Sequence, residues 1–224
     1  MIKMNTKAAL MLSGFLFASG AAFAQNGAAK PADLLAAHKS GSFVPRPADS
    51  EAIPVIKITP AESKIKFDVK ASVAIVGTFD KWDATLTFAS TDVTTGVLDI
   101  KIQADSVNTG SGMKNGKLKG KDFFDVKQNP TIAFKSSKIE QTGPDTFSVD
   151  GDFTIRGVTR HEKLNLTVTG KGTGSGTIAG TMAFDRKEYG MNSGIPFIKI
   201  ADRVEVSVNL KAERISGPPF ALKQ

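Results

Sequence analysis

Residues 147–157 read Phe147-Ser148-Val149-Asp150-Gly151-Asp152-Phe153-Thr154-Ile155-Arg156-Gly157, and this stretch decides the fold. Phe147, Val149, Phe153 and Ile155 fall on one register, with Gly151 among them, while Ser148, Asp150, Asp152, Thr154 and Arg156 fall on the other. Side chains of an extended chain point alternately to opposite faces, so a period of two collects every large apolar group on one side. One buried and one wet face is the pattern of an antiparallel strand. Arg156-Gly157 then reads as a turn.

The same period recurs on both sides. Ile65, Phe67 and Val69 alternate with lysines and Asp68, and Leu98, Ile100 and Ile102 with Asp99, Lys101 and Gln103. Leu164, Leu166 and Val168 follow the pattern, as do Val204, Val206, Val208 and Leu210. Further strands are expected at 55–59, 75–89, 131–138 and 177–184. Ser90-Thr91-Asp92, Gly143-Pro144-Asp145 and the glycine-rich 170–176 separate them as turns. Residues 106–130 break the alternation, and a short helix is expected there around 113–124. About eight strands with one helical insert give an all-β antiparallel barrel, favoured because closure leaves no exposed edge.

Residues 1–24 read as a secretory leader. Lys3 and Lys7 precede an apolar run ending in Ala22-Phe23-Ala24, the small-x-small pattern of a cleavage site. The alternative, a membrane anchor, needs roughly 20 apolar residues, and the run from Ala8 to Phe23 falls short. Cleavage after Ala24 is expected to export the protein to the periplasm. Residues 25–54, rich in Ala, Pro, Ser and Gly, are expected as a flexible tether, 55–215 as the barrel and 216–224 as a tail. Of 29 Lys and Arg two lie in the leader, leaving 27 against 22 acidic residues. That surplus suits anionic head groups or membrane surfaces and is far from a nucleic-acid footprint. The chain has no Cys, which excludes a disulfide scaffold and thiol chemistry.

Alternation alone does not say whether the apolar face points inward or toward lipid. Outer-membrane barrels carry aromatic girdles at both interfaces, yet the chain has one Trp, Trp82, and one Tyr, Tyr189. Its 15 Phe residues lie mostly in line with the aliphatic face. The apolar face therefore points inward. About eight strands enclose either a solid core or room for one small ligand, and the barrel argument leaves the two open.

The residues also resemble those of a family, the bacterial YceI-like polyisoprenoid-binding proteins. The resemblance rests on Ser63-Lys64-Ile65-Lys66-Phe67, Val76-Gly77-Thr78-Phe79-Asp80-Lys81-Trp82, Val107-Asn108-Thr109-Gly110 and Lys121-Asp122-Phe123-Phe124-Asp125-Val126. Asn129-Pro130-Thr131-Ile132-Ala133-Phe134-Lys135-Ser136, residues 151–159, Arg186-Lys187-Glu188-Tyr189-Gly190 and Ala201-Asp202-Arg203-Val204-Glu205-Val206 continue it in order. It implies a lipocalin-like barrel, a periplasmic setting, and a cavity for an isoprenoid quinone or polyprenyl phosphate; homodimers are a further implication. Two positions depart from the family. Its His near the end of the strand containing Val69 is absent, and its Arg-Asp and His-Leu pairs are here Lys114-Asn115 and Lys117-Leu118. Both changes remove polar groups suited to a ligand head group.

Enzymatic chemistry finds little support. His38 and His161 are the only histidines, and Asn165 stands where a second zinc-binding His would follow His161-Glu162. No catalytic residue, metal site or cofactor is expected: there is no nucleophile elbow, and residues 170–176 lack the helix and Lys-Ser/Thr end of a phosphate loop. The leading expectation is a periplasmic carrier holding one isoprenoid lipid. Its tail contacts are expected among Phe67, Val69, Phe79, Leu98, Ile100, Phe123, Phe134, Phe153, Leu166, Met182, Phe184, Tyr189 and Val206. Lys114, Lys117, Lys119 and Lys121 are expected either to meet a head group or membrane surface or to form an ordinary solvated helix face. The alternatives are a solid barrel acting as a stress-related interaction module and an enzyme acting on the same lipid.

Overall fold

Alternation in the sequence becomes alternation of burial in a computed structural model that describes residues 52–222, apart from 73, 171 and 195–198. The leader expected at 1–24, and the tether up to residue 51, lie outside the described residues. Eleven strands follow in order: β1 (Val55–Ile58), β2 (Lys64–Ala71), β3 (Ile75–Phe79), β4 (Trp82–Thr87), β5 (Val97–Gln103) and β6 (Val107–Asn108). After the helix α1 (Gly112–Lys119) come β7 (Thr131–Gln141), β8 (Thr146–Ile155), β9 (Val158–Thr169), β10 (Ser175–Asp185) and β11 (Ile200–Ser216). Phe147, Val149, Gly151, Phe153 and Ile155 are all buried along β8, as the period of two requires.

Every neighbouring pair is antiparallel, in the order β4-β5-β7-β8-β9-β10-β11-β2-β3-β6. The ends of this path belong to one bent hairpin. β3 runs into β4 through Asp80-Lys81, and β5 runs into β6 through a 3-10 turn at Ala104–Ser106. β3 pairs with β2 and β6, while β4 pairs with β5, so the sheet curls round and meets itself across the bend. Counting each bent strand once gives the eight positions of a small barrel, in which β1 adds to the edge of β11 and lies against β4. The helix is shorter than the interval expected for it, because Gly120 caps it and residues 121–124 continue as turns.

Two local devices keep the ladder satisfied. Between β8 and β9, Arg156 and Gly157 both take positive φ, at 54° and 72°, as a two-residue hairpin of primed type demands. Arg156 is not the residue such a position prefers. Its guanidinium holds the turn by donating to the carbonyls of Gly190 and, at 2.9 Å, Lys121. In β7 the register shifts between Ser136 and Lys138, a bulge opposite Gly151. Pairing with β5 stops at Lys135, and the buried Ser136 Oγ accepts the Leu98 N–H at 2.8 Å.

Midway along the barrel the inward residues meet. Val149, Leu164 and Leu210 are at most 2 % exposed, with Ile100, Phe134, Met182 and Val208 completing the layer. Gly180 faces inward here, and a Cβ on it would stand 2.5 Å from Leu166 Cδ2 and 2.7 Å from Val208 Cγ2. Gly180→Val is accordingly expected to destabilise the protein by about 1–3 kcal/mol through overpacking, read as a lower urea midpoint. An unchanged midpoint would mean that this waist has slack which the interatomic distances deny.

Candidate ligand-binding cavity

The waist divides the interior into two unequal spaces. At the helix end lies a pocket of about 70 Å³, bordered by Phe67, Val69, Phe79, Phe123, Phe124, Phe153, Phe184, Val206 and aliphatic neighbours. Its rings fill the barrel with their own contacts: Phe67 lies 5.6 Å from Phe79 and Phe124 6.0 Å from Phe79, centroid to centroid. Tyr189, wholly buried, stands edge-on to Phe153 and Phe184 and donates from its hydroxyl to Glu162 Oε1 at 2.7 Å. Burial pushes its phenol far above the ordinary value, and the Glu162 carboxylate reinforces the shift, so the hydroxyl stays a donor. Arg186 borders this pocket too, with its fork donating to the carbonyls of Met191, Ser193 and Ala201 and to Asp202 Oδ1. A space of about 70 Å³ walled by apolar groups is far too small for a lipid chain and offers water no partners.

At the opposite end the barrel holds a cavity of about 780 Å³, within the roughly 300–1,000 Å³ typical of small-molecule sites. Leu86, Leu98, Ile139, Phe147, Leu166, Val168, Ile178 and Ala212 form its walls. The rim is built from the β9–β10 loop, where Gly170, Gly172 and Gly174 have positive φ, and from the segment between β4 and β5. A strap from the C-terminal segment crosses this rim. Phe220 packs on Phe88 with ring centroids 4.4 Å apart and planes tilted by 53°, the Ala221 N–H donates to the Thr91 carbonyl at 3.0 Å, and Pro219, Phe220 and Leu222 all border the cavity. The polar lining side chains are Thr169, Ser175, Glu213 and Arg214.

The residues singled out in the sequence therefore part company. Phe67, Val69, Phe79, Phe123, Phe153, Phe184 and Val206 border the narrow pocket, and Leu98 and Leu166 the wide cavity. Ile100, Phe134 and Met182 belong to the waist between them, and Tyr189 packs behind the narrow pocket. The lysines stand at the helix end, away from the wide cavity. Lys117 Nζ lies 2.5 Å from Asp122 Oδ2 and 5.9 Å from the centre of the Phe123 ring, and Lys114 Nζ donates to the Ala74 carbonyl at 3.2 Å. Lys117 holds the Asp122 carboxyl below its usual value. Lys119 is half-buried and Lys121 exposed. Phe147, Val168 and Ile178 also wall the wide cavity, each on an alternating face that does not distinguish a cavity wall from packed core, while Phe88 and Phe220 lie outside the alternating pattern.

Comparison with known proteins bears on this architecture. Among solved structures the chain is similar to Burkholderia cenocepacia BcnA, with a TM-score of 0.63 and 28% identity, covering 69% of this chain and 99% of that one. A polyisoprenoid binding domain from Saccharophagus degradans, implicated in plant cell wall breakdown, has a TM-score of 0.58 at 15% identity, over 72% of this chain and 99% of the domain. At that identity the likeness is one of fold. A UPF0312 protein of Pseudomonas savastanoi pv. phaseolicola is 32% identical over 98 residues, 44% of this chain and 51% of the relative. The chain spans about half the length of the curated relatives it matches. The model of the YceI-like domain matches residues 57–212, from the second residue of β1 to the wall of the wide cavity on β11. A match of the family model over most of the chain, on a fold shared with solved neighbours, places it: the protein belongs to the YceI-like family.

Proposed function

We propose that the protein is an exported carrier that holds one isoprenoid lipid by its hydrocarbon chain in the wide cavity. The observation that carries this reading is an apolar cavity of about 780 Å³ inside a YceI-like barrel. Its walls offer hydrocarbon contacts and few hydrogen-bonding groups, so a polar guest would lose water without gaining partners, whereas a prenyl chain loses nothing. At roughly 25 cal/mol per Å² of apolar surface removed from water, such a chain binds through burial alone. The fold shared with a polyisoprenoid binding domain supports the class of ligand, and the leader pattern at residues 1–24 supports a periplasmic site of action. Binding is the activity proposed, with no chemical step.

Native mass spectrometry of the full chain purified from its own host tests this. Protein carrying lipid of one mass class, released as a prenyl chain on fragmentation, is the expected result. Protein that is uniformly empty after gentle purification sinks the carrier reading and favours a barrel that acts only through its surface.

A further inference from the structure

Along β11 the inward register is carried by even-numbered residues: Val204, Val206, Val208, Leu210 and Ala212 border the interior or are buried in it. The next inward position is Arg214, half-buried at the rim of the wide cavity and paired across the sheet with Ile56 of β1. Glu213, the other charged residue at the rim, falls on the outward register and is exposed. An arginine on an otherwise apolar face asks for an anionic partner, since a guanidinium taken partly out of water loses hydration that only hydrogen bonds restore. Within the described residues its side chain donates from Nη1 to the Gly217 carbonyl, and no carboxylate lies within ion-pairing distance. The contrast with Arg186 is direct: that guanidinium, at the other end, is saturated by three carbonyls and Asp202.

We infer that Arg214 is the head-group anchor of the cavity and that it recognises a phosphate ester carried on the lipid. This rests on the carrier reading and adds a direction to it. The hydrocarbon lies toward the waist, and the head stays at the glycine-rich rim, at the end of the barrel remote from α1 and its lysines. The place suits the chemistry. The fork of an arginine matches phosphate oxygens with two parallel N–H donors, and one Nη1 bond to Gly217 leaves the remaining N–H groups for such a ligand. The strand holds the anchor in register, because the Arg214 N–H donates to the Gly174 carbonyl at 2.7 Å and so fixes β11 to the β9–β10 loop.

The test compares geranylgeraniol with geranylgeranyl monophosphate on the full chain, by competition with a fluorescent lipid. The readout is the ratio of the two affinities, which cancels any general change in how the cavity fits a chain. The parent is expected to prefer the phosphate by roughly ten- to a hundredfold, the range of a charge-assisted pair. Arg214→Gln is expected to bring the ratio near one, and Arg214→Lys, which keeps the charge and loses the fork, to leave part of it. Replacing Lys114, Lys117, Lys119 and Lys121 together with Gln is expected to leave the ratio intact. The inference is overturned by a ratio that survives Arg214→Gln, by one that collapses in the four-lysine variant, or by a parent that binds both lipids equally. Displacement of the lipid phosphate by inorganic phosphate at equal concentration would also overturn it, by making the site one for a free anion. A parent that binds neither lipid is a different result and removes the carrier reading itself.

Discussion

A chain carrying Leu86→Trp together with Leu166→Trp is expected to fold and to lose at least about a hundredfold in affinity for a prenyl lipid. β4 and β9 stand four positions apart either way round the eight-stranded circle, so Leu86 and Leu166 project from opposing walls of the wide cavity. Two indoles entering from those walls cover on the order of 100–200 Å² that a lipid would otherwise cover. At ~25 cal/mol per Å² this removes ~2.5–5 kcal/mol of binding, two to more than three powers of ten. Leu86 faces the open cavity, whereas the buried Leu166 also packs on Gly180, so the double-Trp chain is expected to lose about 1–3 kcal/mol of stability to overpacking while remaining folded; the paired swap to Met, which conserves volume, should change affinity and stability little. Isothermal titration or lipid competition reads the affinity, and far-ultraviolet circular dichroism confirms the fold. Undiminished affinity in a folded double-Trp chain would place the lipid somewhere other than this cavity.

The apolar strands and the family resemblance were both legible in the sequence, and the reason is local: each inward position is written into its own strand by a period of two. Closure was less legible. Residues 75–89 read as one strand, yet inward positions are odd in Ile75–Phe79 and even in Trp82–Thr87, because Asp80-Lys81 bends the chain and flips the face. Ile58 and Ile65 flip in the same way around the 3-10 turn at Pro60–Glu62, and the bulge at Ser136 turns Ile139 inward. A period breaks at such points without revealing where the chain goes next.

Where the barrel is hollow could not be read at all. Large rings on the apolar face mark lipid contacts and core filling alike, and only three-dimensional neighbours separate the two. At the helix end Phe67, Phe79, Phe123, Phe124, Phe153 and Phe184 converge and consume the volume they enclose. At the other end the inward and rim positions include Ala212, Gly170, Gly172, Gly174 and Gly176, which contribute wall without bulk. The strap through Phe220 lies outside every alternating run, and its contact with Phe88 joins positions 132 residues apart in sequence. The cavity is a property of which residues are small, and small residues carry little hydrophobic signal.

Arg186→Met is expected to be the most damaging single change to stability, about 3–5 kcal/mol, although methionine fills a similar volume. Arg186 is 6 % exposed and ties Met191 and Ser193 to the start of β11 by donating to the Met191 carbonyl and, at 3.0 and 3.1 Å, to those of Ser193 and Ala201. Removing it leaves those carbonyls without their donor, each at a cost of roughly 1–3 kcal/mol where water cannot replace it. For a protein of this size the loss corresponds to a fall in Tm on the order of 6–20 °C. Arg186→Lys should recover only part, since one ammonium cannot reach several carbonyls in different directions. Full rescue by Lys would show that charge pairing with Asp202 matters, and that the carbonyl fan does not. Acidity separates the contributions further. The Asp202 carboxyl is held below its ordinary value chiefly by the hydrogen bond from Lys187 at 2.8 Å, with Arg186 adding to the effect. Its contribution is therefore present above the ordinary aspartate range and lost only as pH falls through the lowered value. The gap between parent and Arg186→Met should narrow over that acidic window without closing, because the carbonyl bonds of Arg186 do not titrate. A gap that vanishes in acid would assign the whole effect to the ion pair.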